Sequence, residues 1–468
     1  MHTHPAPISR RRLLQFGAVA SAAGLAACAA PMQSLTPRPS TKSTPTPTGT
    51  PEPTGTPTIE PSPAPPPAPR SATGRILYRD GALADGHSAT LQRNASILVE
   101  DGRISWIRPA GGEADPDGAT VIDCAGATFV PGMVDCHSHV TGPGGANWIE
   151  RFNDPPETLA AVAEENGRIG LAAGVRWMRD VGSPIGVDPT DGRERAMALG
   201  VRDRWADRPD RPYLRAAGSW LFKRGVSPMR SSIQAETGDE LLAAAIGQLD
   251  DGADLVKLYM DGPDVDVSPW TANEVARVVE AAHERGARVA AHAGRLSGAR
   301  EAVLGGVDSI EHGFDLDADC AAEMRQRGTT LVSTLAVMHS WLSFGDTTTI
   351  ERFAGEAGIS TIRTRLEQAE ASVRTARDAG VAIATGSDFG GGSLRANQLA
   401  WEVTSLVAAG IEPVDALAAA TWHGGELIGE AEAGVIRDGG PADFFLVHGD
   451  PLSDPECLWR VWRAGWDR

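Results

Sequence analysis

Downstream of Pro131 the chain alternates short apolar runs with helical stretches, and few architectures accept that texture over so long a span. Candidate strands fall at 128–139, 174–181 ("GVRWMRDV"), 213–220, 254–261 ("DLVKLYMD"), 288–293 ("RVAAHA"), 307–312 ("VDSIEH"), 330–335 ("TLVSTL") and 381–388 ("VAIATGSD"). Eight strands with helices between them predict an α/β fold, a parallel (β/α)8 TIM barrel over 132–432. Between the fourth and fifth strands, Thr271 and Glu274 make a capping-box signature that opens a helix through Arg285, ended by Gly286. The segments 72–131 and 433–468 read differently, as short strands broken by Gly and Asp, with a hairpin signal at Asp101-Gly102. Together they predict a small β-sandwich domain that the chain leaves and later re-enters.

Residues 1–28 read as an export signal rather than as part of the fold. Ser9-Arg10-Arg11-Arg12-Leu13-Leu14-Gln15 has a twin-arginine layout, and the apolar run Phe16 to Ala27 follows it. Leu25-Ala26-Ala27-Cys28 resembles a bacterial lipobox, in which the cysteine is lipidated and becomes the first mature residue. Segment 29–71 is rich in Pro, Thr, Ser and Ala, cannot bury a core, and reads as an extended spacer from a membrane anchor. With 43 Lys plus Arg against 61 Asp plus Glu, the net charge of −18 argues against nucleic acid as a partner. The remaining cysteines, Cys124, Cys136, Cys320 and Cys457, have no close-spaced pair and are expected as buried thiols.

The polar residues that interrupt the apolar strands fall at the strands' C-terminal ends, where barrel active sites lie. His137 and His139 end the first strand, and alternation puts both imidazoles on one face, with Cys136 and Ser138 on the other. Such a pair can hold a divalent metal, although surface His-x-His pairs also arise by chance. Lys257 shares the inward face of the fourth strand with Leu255 and Tyr259, and a buried ammonium is costly unless paired or chemically changed. A carbamate formed with CO2 would turn it into an anionic metal ligand; a salt bridge to Asp180 or Asp388 is the alternative. His292 ends the fifth strand and His312 the sixth. Asp388 ends the eighth, above Ala382, Ala384 and Gly386, a small-residue floor expected to leave room for a ligand. It can ligate a metal and accept a proton from water, or cap a helix.

The order His-x-His, Lys, His, His, Asp resembles the amidohydrolase superfamily. "FVPGMVDCHSHV", "GVRWMRDVG", "GADLVKLYMDG", "VAAHAG", "SIEHG", "TGSDFG" and the closing "GVIRDGGPADFFLVHGDPL" are similar to its imidazolonepropionase-related and prolidase-like branch, from Ala72 to Gly465. The resemblance implies two divalent ions, zinc foremost, with one ion as the alternative. His137, His139 and Asp388 would hold one, His292 and His312 the other, and carboxylated Lys257 would bridge them. It further implies that a metal-bound hydroxide attacks a carbonyl, with Asp388 taking its proton and passing it to the leaving nitrogen. One departure is "ATWHGGELIG", where His423-Gly424 stands in place of the more usual Asn and Ala.

The expected activity is hydrolysis of a C–N amide-type bond in a small molecule, an Xaa-Pro dipeptide or an N-acyl amino acid. Tyr259, His339 and Arg395 are substrate-binding candidates, His339 on a long connection, 336–360, that reads as a lid. Rival readings are a single-metal cyclic amide hydrolase, a non-catalytic ligand- or metal-binding surface lipoprotein, and an esterase or lactonase. The sequence leaves a homo-oligomer open.

Overall fold

The computed structural model describes residues 74–466 apart from 112–115, 228 and 230. The signal, Cys28 and the spacer 29–71 lie outside the described residues. Among the described residues no helix is long and apolar enough to cross a membrane.

All eight expected strand regions are strands: Met133–Ser138, Val175–Asp180, Tyr213–Ala216, Leu255–Tyr259, Arg288–Ala293, Ser309–His312, Thr330–Ser333 and Ile383–Thr385. They run parallel in two ladders, the first three strands in one and the last five in the other. Single parallel bridges, Ala217 to Leu255 and Ser138 to Phe389, touch across the two seams between the ladders. The fold is of the TIM-barrel α/β type, with seams bridged rather than fully zipped. The helix Ala272–His283 opens on the expected capping box: the Glu274 backbone N–H donates to Thr271 Oγ1 at 3.4 Å, and the Thr271 N–H donates to Glu274 Oε2 at 2.9 Å.

Two expectations need correction. Segment 128–139 is not one strand. Ala127–Pro131 ends at Gly132, whose N–H donates to the Asp443 carbonyl at 2.8 Å, and a new strand starts at Met133. Only glycine fits the joint, since a Cβ there would lie 2.6 Å from Arg176 Cβ. The connection 336–360 is not a loop. It is helical through Leu335–Phe344, Glu351–Ala354 and the start of Glu356–Asp378.

Both ends of the described chain meet in one seven-stranded sheet, where Phe444–His448 lies antiparallel between Ala127–Pro131 and Val461–Ala464. Asp101-Gly102 makes the expected hairpin turn, with φ of 46° and 79°. Tyr78, Phe129 and Phe444 pack edge to face at its core. Arg176, fully buried on the second barrel strand, ties barrel to sheet through Asp443 at 2.7 Å and donates to the Tyr213 hydroxyl of the third barrel strand at 3.2 Å. Breaking such a buried pair from one side typically costs about 3–5 kcal/mol. Cys124, Cys136, Cys320 and Cys457 are free and buried, and burial pushes each thiol up to about 12. Gly424, the departure in the tail motif, packs where a Cβ would lie 2.8 Å from Val134 Cβ, so alanine would not fit.

Candidate metal centre

Each histidine ring has one nitrogen engaged, and this fixes which nitrogen faces the barrel mouth. His139 Nδ1 lies 2.7 Å from the Gly182 carbonyl, which can only accept, so Nδ1 carries the proton and Nε2 is the free lone pair. His137 Nδ1 is 2.7 Å from Glu311 Oε2, and His312 Nδ1 is 2.8 Å from Thr334 Oγ1. His292 is engaged through the other nitrogen, Nε2, at 3.2 Å from Asp261 Oδ2, leaving Nδ1. The free Nε2 atoms of His137 and His139 lie 3.4 and 3.5 Å from Asp388 Oδ1. One nitrogen each from His137 and His312 and one oxygen of Asp388 fall within 4.8 Å of one another, a spacing fit for a metal ion. The His292 and His312 rings are 4.6 Å apart.

Lys257 is buried, and its Nζ has no hydrogen-bond partner among the described residues. Desolvation pulls the ammonium down to about 8, against the opposing pull of Glu311. The salt bridge to Asp180 or Asp388 is absent among the described residues. Asp180 instead accepts from the Val140 N–H at 2.7 Å and the Gly182 N–H at 3.0 Å, tying the loop after the first strand to the second.

Backbone geometry explains how two neighbours can both face inward. Ser309 and Glu311 share the inner face of the sixth strand, so the pleat would send His312 outward. Instead His312 has a φ of 75°, a left-handed conformation uncommon outside glycine, and its ring comes 4.6 Å from that of His137. Asp388 is also left-handed, with a φ of 53°, and its N–H donates to the His137 carbonyl at 2.8 Å. It caps no helix, since the next one, Leu399–Ala408, follows Gln398. The small-residue floor admits a side chain rather than a ligand: a Cβ on Gly386 would collide with His137 Cβ, and one on Gly391 with the His139 ring. Ala382 is exposed and takes no part.

Tyr259 stacks between Phe222, at 4.2 Å, and His292, at 3.9 Å, so it lies on the site. The other two substrate candidates are not gathered there. His339 sits on the helix Leu335–Phe344 with its ring 6.4 Å from Trp401, a residue of the outer helix Leu399–Ala408. Arg395 is exposed, and its backbone N–H donates to Gln398 Oε1 at 2.7 Å.

Sequence reasoning passed over the carboxylates behind the ligands. Glu311 stood in the quoted "SIEHG" but was not singled out, since strict alternation puts it on the face opposite His312. Asp135 was findable, two residues before His137 on the same face. It accepts from the Ser387 N–H at 3.0 Å and Oγ at 2.5 Å, and burial raises its carboxyl to about 7.

Residues 128–461 match the profile of the amidohydrolase family. An uncharacterized protein of Mycobacterium tuberculosis is 29% identical over 394 residues, 83% of this chain and 94% of that one. The imidazolonepropionase of Saccharopolyspora erythraea is 26% identical over 403 residues, covering 80% and 90%. Among solved structures, a Xaa-Pro dipeptidase with methionine bound in its active site superposes with a TM-score of 0.72 at 25% identity, covering 84% of this chain and 99% of that one.

Proposed function

The chain belongs to the amidohydrolase family, as a hydrolase of C–N bonds, and on that premise we propose that it is an exported, lipid-anchored enzyme cleaving Xaa-Pro dipeptides or N-acyl amino acids. The observation that carries the chemistry is the convergence of the free imidazole nitrogens and Asp388 beside a buried lysine nitrogen that no group among the described residues satisfies. A cation on Nζ fits that place poorly and an anionic carbamate fits it well, because the surrounding imidazoles donate lone pairs to a metal. In this reading His137, His139 and Asp388 would hold one divalent ion, zinc foremost, His292 and His312 would hold a second, and Lys257, if carboxylated, would serve both.

Divalent ions supply Lewis acidity, making water nucleophilic near neutral pH and polarising the scissile carbonyl. Asp388 turns Oδ1 toward the two imidazoles, leaving Oδ2 to take a proton from the attacking water. The same atom returns that proton to the leaving nitrogen, which departs as a neutral amine, while the acyl carbon gains the hydroxyl. Trp220 and Phe152, buried with ring centres 5.5 and 6.0 Å from that of His139, pack apolar groups behind that ring. Tyr259, held flat on His292, is the residue best placed to meet a substrate oxygen.

A single-metal hydrolase of a cyclic amide is the second reading, favoured by the compactness of the His137, His312 and Asp388 set taken alone. Metal content and turnover of the purified protein, with bicarbonate present, separate the two. Two ions per chain, with dipeptide or N-acyl amino acid hydrolysis abolished by chelation and restored by zinc, are expected. One ion with lactam opening would favour the second reading, and a loaded protein that hydrolyses none of these would remove the enzymatic reading. The anchor is tested separately in the native host. Recovery in the membrane fraction is expected, with release to the soluble fraction in Cys28→Ala; wild-type protein recovered only as soluble would count against anchoring.

A further inference from the structure

The partners of the four imidazoles fall into two kinds. His139 and His312 are held by neutral groups, the Gly182 carbonyl and the Thr334 hydroxyl. His137 is held by a buried carboxylate, Glu311, at 2.7 Å, and His292 has a second, Asp261, 3.2 Å from its Nε2.

Both carboxylates are themselves pinned. Glu311 Oε1 accepts from Arg179 Nη2 at 2.7 Å and from Ser309 Oγ at 2.5 Å. Arg179 also donates from Nε to the carbonyl of Cys136, the residue before His137, at 2.5 Å. One closed set therefore links the backbone of the first strand, the arginine of the second and the carboxylate of the sixth. Asp261 accepts backbone N–H groups from Gly294 at 3.0 Å and Arg295 at 3.2 Å, so the turn after His292 fixes its angle. A carboxylate on one imidazole nitrogen holds the proton there, aims the other nitrogen and raises its basicity; a neutral acceptor aims the ring without adding charge.

We propose that Glu311 and Asp261 are positioning residues that set the affinities of two ion positions separately, Glu311 through His137 and Asp261 through His292. This rests on the two-ion reading above. The pattern places one carboxylate-backed imidazole on each side of the pair, with the neutrally held rings completing each position.

The test uses full-length protein loaded with Mn2+, with ions per chain counted under graded chelator and the electron paramagnetic resonance spectrum recorded alongside. In Glu311→Gln and in Asp261→Asn, one ion is expected to bind about ten- to a hundredfold more weakly while the other is retained. The spectrum should pass from that of a coupled pair to the six-line pattern of an isolated ion. A merely structural role would lower Tm without selecting one ion. Affinities unchanged from wild type, or both ions lost together in each variant, would overturn the proposal. Should Glu311→Gln fail to fold for want of a partner to Arg179, Asp261→Asn decides, because no Lys or Arg forms an ion pair with Asp261 among the described residues. A wild-type protein holding one ion overturns the two-ion reading and the Asp261 half with it. The chelator curve of Glu311→Gln then decides the Glu311 half alone.

Discussion

Lys257→Ala is expected to lose at least one ion per chain and to reduce kcat by about a thousandfold, which at about 1.4 kcal/mol per tenfold is the several kcal/mol that bound metal contributes to catalysis. Acetate or formate should restore part of the activity, because a small carboxylate can enter the space vacated by the side chain and replace the anionic bridge. The effect on stability has the opposite sign. In metal-free protein without CO2, the buried ammonium is a liability, and Lys257→Met should be more stable than wild type near neutral pH. The folded protein releases the lysine proton from about pH 8, whereas the unfolded chain keeps it to the usual lysine range. The cost of burial, about 3 kcal/mol, is therefore present in full below pH 8 and is relieved as pH rises above it. Denaturant titrations between pH 7 and pH 10 should show the gap between variant and wild type closing. A Lys257→Ala enzyme with near-normal kcat and metal content would return the lysine to a structural role and end the carbamate reading.

Asp388→Asn is expected to lower kcat by about 10²- to 10⁴-fold, the usual range for removing a positioned proton acceptor, with a much smaller change in KM. Asparagine is the substitution that isolates the proton, since after glycine it tolerates the left-handed backbone that Asp388 adopts, with its φ of 53°. Alanine would add backbone strain and confuse the result. Asparagine also keeps one oxygen for the ion, so metal content should fall little. Retained metal with lost turnover is what separates an enzyme from a surface protein that only sequesters metal. Undiminished turnover in Asp388→Asn would remove Asp388 from the proton path.

The eight barrel strands were readable because each is a short apolar run that ends on a chemically conspicuous residue. The first misled by one joint. Both Ala127–Pro131 and Met133–Ser138 are apolar, and Gly132 alone marks the place where the chain passes from one sheet to another. The candidate site residues were readable because each ends or interrupts an apolar strand, and Lys257 most of all, since a lysine among Leu255, Val256 and Leu258 needs either a partner or a chemical change. Glu311 was hidden because nothing in "SIEHG" announces the left-handed backbone at His312 that lets two neighbours face inward. His339 and Arg395 were offered only for their place after a strand or a Gly-rich loop, and position in the sequence does not fix where such a side chain lies.

The continuity of Ala127–Pro131 with the His137 strand, and its pairing with Phe444–His448, also bear on the order of events during synthesis. The histidines of the first strand leave the ribosome early, yet the strand leading into them lacks one neighbour until almost the whole chain has been made. Asp388 too arrives more than two hundred residues behind His139. Ion capture therefore belongs to the finished chain rather than the growing one. A lesion in the closing sheet, far from any ligand, would then surface first as protein that is made at full length but fails to take up metal.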